Sequence, residues 1–293
     1  MINFFIVGAP KCGTTKLYDY LRKHPEVFLP EEKEPHFFAD DLGKYKSHKT
    51  EREFLNIYRE RRSNQITGDA SIFHMYSSVA MGNIYNHNPN AKIVVILRNP
   101  VEAAHSFHSQ LLYTQDETER DFESAWRLIG NRQHGEGIPN VCKSPKVLNY
   151  REVFAYSDQL KRVYSYFPLG QVKVFFYDDL KKENESVTSE LCKFLEIEPL
   201  TSDNAIINPN QVNRFPWISR ILRHPPSWLK TLKRALIGKG HTKLYDVILD
   251  LNTIKGPREP MKPSFKRELE VEFRDEIVEL EELLARDLSA WKI

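Results

Sequence analysis

The chain has 293 residues, of which 41% are hydrophobic, and its 42 basic and 40 acidic residues leave a formal net charge of only +2. This length allows a substantial buried core in one large domain or two small ones, and we expect one domain that spans residues 1–293. The even charge balance gives no indication of nucleic-acid binding, and we expect no nucleic-acid partner.

The cysteines and the hydropathy pattern indicate the compartment. The chain contains three cysteines, Cys12, Cys142 and Cys192, without a C-x-x-C pair or a histidine at metal-ligand spacing. An odd number of unpaired cysteines is typical of a reducing compartment. We find no signal peptide and no apolar stretch that is long enough to span a bilayer. These features predict a soluble cytoplasmic protein.

Residues 8–15 read Gly-Ala-Pro-Lys-Cys-Gly-Thr-Thr, a phosphate-binding loop whose lysine is displaced. In proteins that bind nucleoside triphosphates the pattern is G-x-x-x-x-G-K-[ST], with the lysine directly after the second glycine. Here Thr14 occupies that position, and the lysine is Lys11, inside the loop. Gly8 and Gly13 keep the usual spacing, so backbone N–H groups at a helix N-terminus can still surround an anion. The motif predicts a phosphate site that is not built for Mg-ATP.

The segments around this loop predict the order strand, loop and helix. Residues 3–8 form a short apolar run suited to a buried strand, and residues 14–24 carry apolar side chains at helical spacing before Pro25 ends them. The alternative is an ordinary Gly-Pro turn between two elements. That alternative does not account for the glycine spacing or for the paired threonines.

Further along the chain, predicted strands and helices alternate. Residues 92–98 and 171–177 form two more buried strands. A helix from Asn99-Pro100 to about residue 113 follows the first, a long amphipathic segment (149–167) precedes the second, and a helix (183–195) follows it. This alternation predicts an α/β fold with a central, mainly parallel sheet that is flanked by helices on both faces.

Two segments close the chain. Residues 204–245 contain no acidic residue and interleave lysines and arginines with tryptophans and leucines, a basic amphipathic pattern. After it, apolar residues at spacings of three or four predict a C-terminal helix that packs one face on the body of the domain. The apolar residues of this helix are Leu269, Phe273, Ile277, Leu280, Leu284 and Leu288.

Taken in order, these motifs resemble those of the sulfotransferases that use 3′-phosphoadenylyl sulfate (PAPS), nearest the heparan-sulfate-type and related bacterial enzymes. The matching segments are residues 6–15, 33–38, 96–100 with Ser106, 167–170, 177–180 and 284–291. Each segment alone is unspecific, but their order and spacing together are specific, and they cover nearly the whole chain. The resemblance implies a P-loop-like α/β fold.

The resemblance also implies how the donor is held. It assigns the 5′-phosphosulfate to the phosphate loop, with Lys11 nearest the oxygen that bridges phosphorus and sulfur. The residues that it implies for this part are Pro10, Lys11, Cys12, Gly13, Thr14 and Thr15. Sulfuryl transfer needs no metal where cations and N–H groups take up the charge on the leaving phosphate. We therefore expect PAPS as donor, 3′,5′-bisphosphoadenosine (PAP) as product, and no metal ion.

A second phosphate site is expected at the end of the strand formed by residues 92–98. Arg98 lies at the carboxyl edge of the sheet, and Ser106 follows about two helical turns later. In the family an arginine and a serine at this spacing bind the 3′-phosphate, and a guanidinium suits phosphate oxygens. A structural ion pair is the alternative for Arg98. Arg258 falls where the family has a basic loop over the 3′-phosphate, although its spacing differs.

The general base is expected to be Glu34, which precedes His-Phe-Phe as the family's glutamate does. Apolar neighbours would desolvate this carboxylate and make it a better base. Three histidines, His36, His105 and His108, are the alternatives. Residues 68–71 match an acceptor-side strand of the heparan-type enzymes, but Ala70 replaces their lysine. We expect His36 and Asp69 to touch the acceptor, unless Asp69 only caps the following segment.

The resemblance favours a carbohydrate or glycolipid hydroxyl as acceptor, or an amine; a small-molecule or lipid alcohol is the alternative. We expect the basic helical segment, residues 212–245, to border the acceptor site. An anionic polysaccharide, an anionic membrane surface or the protein's own acidic tail would also fit it.

Two functions of other classes compete with sulfuryl transfer. A kinase would need a lysine at position 14 and a magnesium-binding acid after the second strand, where Arg98-Asn-Pro stands instead. A protein that only binds nucleotide would keep the loop and lose the base.

Overall fold

The computed structural model describes residues 1–200, 211–213, 253–256 and 258–292. A five-stranded, all-parallel sheet forms the centre, in the order β2-β3-β1-β4-β5. Its strands are β1 (Phe4–Gly8), β2 (Val27–Phe28), β3 (Ile66–Asp69), β4 (Lys92–Leu97) and β5 (Val172–Phe176). The prediction of a parallel α/β sheet is confirmed. A separate antiparallel pair joins β6 (Gln211–Asn213) to β7 (Thr253–Lys255).

Helices connect and follow the strands. They are α1 (Thr14–Arg22), α2 (Glu51–Asn56), α3 (Ala80–His87), α4 (Pro100–Thr114), α5 (Phe122–Arg127), α6 (Ile129–Gln133), α7 (Tyr150–Val153), α8 (Tyr156–Tyr166), α9 (Tyr177–Lys182), α10 (Asn184–Leu195), α11 (Pro263–Glu272) and α12 (Arg274–Leu284). Short 3-10 turns lie at Asp40–Tyr45, Pro145–Leu148, Leu169–Gln171 and Ser289–Trp291.

The two central strands, β1 and β4, are covered on both faces. All five residues of β1 and the apolar residues 93–97 of β4 are buried, as continuous apolar runs in a parallel sheet require. The neighbouring strand β3 packs closely, since a Cβ on Gly68 would lie only 2.1 Å from the Phe4 ring. Any side chain at position 68 would therefore displace this ring.

The strand order places a binding crevice above β1 and β4. After β1 the chain builds β2 and β3 on one side of it, and then crosses to build β4 and β5 on the other. In open α/β sheets, ligands bind at the carboxyl ends of strands where the order reverses in this way. The phosphate loop follows β1, and Arg98 directly follows β4. Both predicted phosphate-binding elements therefore begin at this crevice.

Two predicted helices are interrupted. The amphipathic segment 149–167 contains two helices, α7 and α8, which are separated at Phe154 and Ala155. The C-terminal helix is also two helices, α11 and α12, which meet at Phe273. Its apolar face packs as predicted, with Leu269, Phe273, Ile277, Leu280 and Leu288 buried and Leu284 partly buried. α12 packs against α8.

Candidate functional site

The phosphate loop presents the N-terminus of α1 to the crevice. Gly13 has a φ of +97°, and no side chain caps the N-terminus of the helix, which leaves this end to bind an anion. A Cβ on Gly13 would lie 3.0 Å from the ring of Tyr177 and 3.1 Å from Leu180. Glycine is needed here both for the left-handed backbone and for the close approach of α9. Thr14 and Thr15 line the cleft beside it.

Lys11 extends from this loop into the cleft. Its Nζ donates a 3.2 Å hydrogen bond to Oε1 of Gln110 on α4. Burial lowers the pKa of Lys11, and the positive charge of Arg258 adds to this effect. A partly buried ammonium next to other cations is stabilised by an anion, because the anion offsets both desolvation and repulsion.

Cys12 and Pro10 form the base of the loop instead of its binding surface. The Cys12 side chain is fully buried, with its Sγ 3.4 Å from the Pro10 carbonyl oxygen and 3.6 Å from the Tyr156 hydroxyl. Burial raises the pKa of the Cys12 thiol to about 12. Its backbone N–H donates to the carbonyl oxygen of Ala9 at 3.4 Å. The contact of Cys12 with the donor stays a prediction.

A second cationic cluster lies at the end of β4 and on the adjacent face of α4. The Arg98 guanidinium pairs with Glu102 at 2.8 Å and stacks 4.6 Å from the Tyr177 ring. Arg258 donates hydrogen bonds to Ser106 Oγ at 2.9 Å and to Ser109 Oγ at 3.1 Å. The serine at position 106 is thus held by Arg258 and not by Arg98. Burial and the charge of Arg98 both lower the pKa of Arg258.

Glu34 lies across the cleft from these cations. Its Oε1 is 2.9 Å from the Nζ of Lys33, and its Oε2 is 3.9 Å from Nε2 of His36. Lys33 also donates a 2.7 Å hydrogen bond to Oγ1 of Thr15. The backbone of this segment is tied to the end of β3, because the His36 N–H donates to Ser71 Oγ at 3.0 Å. A carboxylate and the phosphate loop therefore face one cavity.

The three alternative histidines differ in position. His36 lines the cleft, but its side chain is nearly fully buried, and this burial lowers its pKa to about 4. Burial also lowers the pKa of His105 to about 4. Nε2 of His108 lies 2.8 Å from the Glu119 carbonyl oxygen, away from the cleft lining. His36 is thus the one histidine of the three that reaches the cleft.

Asp69 lies beneath the cleft and does not line it. It is the last residue of β3, it is fully buried, and its Oδ1 lies 3.6 Å from Nδ1 of the equally buried His74. Burial raises the pKa of Asp69 to about 7. The expectation that Asp69 touches the acceptor is corrected, because its side chain points into the core.

The clusters share one cleft of about 820 Å³. On the side of His36, its wall continues through Tyr45, whose ring lies 5.8 Å from that of His36 and 5.0 Å from that of Phe73. The Lys143 ammonium lies 5.1 Å above the Tyr45 ring. Other lining residues are Lys16, Lys44, Ser47, Leu111, Thr114, Asp116 and Lys181. This volume is within the usual range of clefts that bind small molecules.

Sequence comparison now identifies the family. A family profile described as "Sulfotransferase domain" matches residues 2–215, more than half of the chain. The chain belongs to the sulfotransferase family. Carbohydrate sulfotransferase 15 of Mus musculus is 30% identical over 303 aligned positions, which cover 85% of this chain and 53% of that protein. Heparan sulfate glucosamine 3-O-sulfotransferase 5 of Mus musculus is 26% identical, covering 67% of this chain and 54% of that protein.

The fold of this sulfotransferase family member also has a match among solved structures. The crystal structure of a sulfotransferase from Alicyclobacillus acidocaldarius superimposes with a TM-score of 0.73 at 25% identity, covering 99% of this chain and 98% of the other. The chain spans only about half the length of the two mouse proteins. In the part of the chain that the structure describes, no helix is both long and apolar enough to cross a membrane.

Sequence reasoning missed several residues of this sulfotransferase cleft. Lys33 belongs to the segment 33–38 that carries the family resemblance, yet only its neighbours Glu34 and His36 were predicted as site residues. Gln110 lines the cleft and Ser109 accepts a hydrogen bond from Arg258. Both lie about one turn after Ser106 on α4, so helical periodicity was the available signal. Lys143 has no motif around it, and only the tertiary structure brings it to the cleft.

Proposed function

We propose that the protein is a sulfotransferase that moves the sulfuryl group of PAPS to a hydroxyl of an acceptor. The observation that carries the proposal is the arrangement of one cleft. A phosphate loop with its own lysine, a second cationic cluster and a carboxylate all face it. Two anion sites and one base are what a doubly phosphorylated donor and a protic acceptor require.

The residues present fit this donor. The N–H groups at the start of α1 and Lys11 would hold the 5′-phosphosulfate, and Arg98, Ser106 and Arg258 would hold the 3′-phosphate. The lowered pKa values of Lys11 and Arg258 support this, because they reflect cations that are partly desolvated and close together. An incoming polyanion relieves both costs. We propose PAPS as donor and PAP as product.

The chemistry divides between two residues. When bound, the donor supplies a sulfuryl group, whose bond to the bridging oxygen breaks as the acceptor oxygen bonds to sulfur. Glu34 takes the proton of the acceptor hydroxyl, and Lys11 stabilises the electron pair that remains on the leaving phosphate. Both side chains line the cleft. This assignment leaves His36 as a neutral neighbour of the base, since its pKa is lowered to about 4.

The acceptor that we propose is a carbohydrate or glycolipid hydroxyl. The two mouse relatives are named for carbohydrate and heparan sulfate substrates, which supports a sugar. The acceptor side of the cleft combines an aromatic ring, Tyr45, with the polar groups of Ser47 and Lys143. Rings that pack on sugars and polar groups that bind hydroxyls suit such an acceptor. The proposed role of residues 212–245 concerns a segment that, apart from residues 212 and 213, lies outside the described residues.

One binding screen tests the proposal against its alternatives. Calorimetry would compare PAP, ADP and ATP, each with and without Mg²⁺. We expect PAP to bind at least tenfold more tightly than ADP without metal, since one hydrogen bond to a charged group contributes about 1.5 to 3 kcal/mol. Metal-dependent ATP binding would instead indicate a kinase, and PAP binding without sulfuryl transfer from PAPS to any sugar, lipid or small-molecule acceptor would indicate a binding protein.

A further inference from the structure

Lys33 joins the two halves of the cleft. Its Nζ donates to Thr15 Oγ1 at 2.7 Å on the phosphate loop and lies 2.9 Å from Oε1 of the proposed base, Glu34. The side chain is 22% exposed, so the ammonium is partly desolvated and still faces the cleft. No other lysine in the part of the chain that the structure describes contacts both the loop and this carboxylate.

The positive charge of Lys33 affects the pKa values of groups around the reaction centre. It contributes to the lowered pKa of Lys11 and to that of His36. The ammonium therefore lies within electrostatic range of the cation at the leaving phosphate and of the imidazole beside the base. An anionic group between the loop and Glu34 would lie next to Lys33.

We propose that Lys33 is a further catalytic residue, which donates a hydrogen bond to a non-bridging oxygen of the sulfuryl group during transfer. The inference rests on the proposed function. Sulfur must pass from a phosphate on the loop to an oxygen that Glu34 deprotonates, and Lys33 spans these two positions. A lysine ammonium has three donors, and in this structure Lys33 makes one hydrogen bond, to Thr15, beside its ion pair with Glu34, so it can still donate to the sulfuryl oxygen. Negative charge on these oxygens makes such a donor effective.

A comparison of PAPS with PAP isolates this contact, because PAP lacks the sulfuryl group. For Lys33→Ala we expect roughly tenfold weaker PAPS binding, the size of one hydrogen bond to a charged group, with unchanged PAP binding. Turnover should fall about 10²-fold, as when one preorganised donor is removed. Lys46→Ala is the matched control. Lys46 pairs with Asp40 and packs on Phe37, away from the cleft lining, so both affinities should remain.

Loss of Lys33 also leaves the Glu34 carboxylate without its ion-pair partner, and this charge would repel the sulfuryl group of PAPS. The double variant Lys33→Ala with Glu34→Gln removes that repulsion. Compared with the single variant Glu34→Gln, the double variant should still bind PAPS roughly tenfold more weakly. If the double variant instead binds PAPS as Glu34→Gln does, Lys33 acts only through Glu34 and the inference is wrong.

Other results separate this inference from the proposed function. Equal weakening of PAP and PAPS by Lys33→Ala would mean that the lysine only supports the loop through Thr15, which overturns the inference and leaves the function standing. A wild-type protein that binds neither compound would overturn both. Lys33→Met, which keeps the length of the side chain but removes its charge and its donors, provides the same comparison if the alanine variant does not fold.

Discussion

Arg258 donates a 2.9 Å hydrogen bond to the hydroxyl of Ser106, although the two residues lie 152 positions apart in the chain. The same guanidinium reaches Ser109 one turn later on α4. Through these contacts the residues after β7 pack on α4, the helix that follows Arg98. The 3′-phosphate site that we propose is thus made from two distant parts of the chain, and its loss should be measurable separately from the loop.

The first prediction concerns this site. Arg258→Ala should weaken PAP binding by roughly one to two orders of magnitude, because about 1.5 to 3 kcal/mol is lost with one charged contact to phosphate. Binding of adenosine 5′-phosphosulfate, which has no 3′-phosphate, should change little. Calorimetry with both ligands measures the difference. An exposed arginine, Arg22, provides the control as Arg22→Ala. Equal losses for the two ligands would contradict the assignment.

The second prediction separates binding from chemistry. Glu34→Gln keeps the size and polarity of the side chain but removes the base, so turnover should fall by about 10² to 10⁴, while PAP affinity is retained. A sulfate-transfer assay and calorimetry give the two numbers.

Glu32→Gln is the matched control for this change. Glu32 also lines the cleft, but its carboxylate is exposed and lies 2.9 Å from His48. We expect this variant to turn over as the wild type does. A fully active Glu34→Gln enzyme would exclude Glu34 as the base and leave His36 as the candidate, since His36 is the one alternative histidine that lines the cleft.

Much of the site followed from sequence because its elements start at ends of parallel strands. The spacing of Gly8 and Gly13 predicts the loop after β1, and the apolar run before Arg98 predicts β4. The carboxyl ends of parallel strands share one edge of a sheet, so the loop and Arg98 were expected at that edge. The family resemblance, and not the local pattern, assigned both to one donor.

The parts that sequence did not give depend on packing over long distances. The resemblance placed Arg258 near the 3′-phosphate site, but its direct hydrogen bond to Ser106 was not predictable, because Arg258 comes from a region with no periodic pattern. Asp69 is the last residue of β3, and neighbouring side chains of a strand point to opposite faces of the sheet. The sequence therefore could not predict whether its carboxylate faces the cleft or the core. The apolar residues keep a spacing of three or four across the break at Phe273. The hydrophobic pattern therefore could not show that the C-terminal segment is two helices.

The third prediction concerns the cysteine of the phosphate loop. Burial raises the pKa of Cys12 to about 12, so at pH 8 it is almost entirely a protonated, inaccessible thiol. All three cysteines of the chain are free and buried. Iodoacetamide at pH 8 should therefore modify none of them in the native protein and all three after unfolding, as counted by mass spectrometry. Rapid alkylation of native Cys12 would contradict its structural role.

The last prediction concerns Asp69. Burial raises the pKa of its carboxyl group from the ordinary value of 3.8 to about 7. Between these values the folded protein holds a proton that the unfolded chain has released, so folding loses stability as pH rises from about 4 to 7. From pH 5 to pH 8 the wild type should lose up to about 3 kcal/mol through this residue, at about 1.4 kcal/mol per pH unit. Asp69→Asn cannot ionise, so its stability relative to the wild type should grow by that amount.

Urea denaturation of both proteins at pH 5, 6, 7 and 8 measures this difference. The buried His36 contributes with the opposite sign, because its pKa is lowered to about 4 and it loses stability as pH falls below 6.5. His36 is present in both proteins, so its contribution cancels. A constant difference between Asp69→Asn and the wild type would mean that Asp69 is ionised throughout, and that the buried Asp69 and His74 pair carries a charge at pH 5.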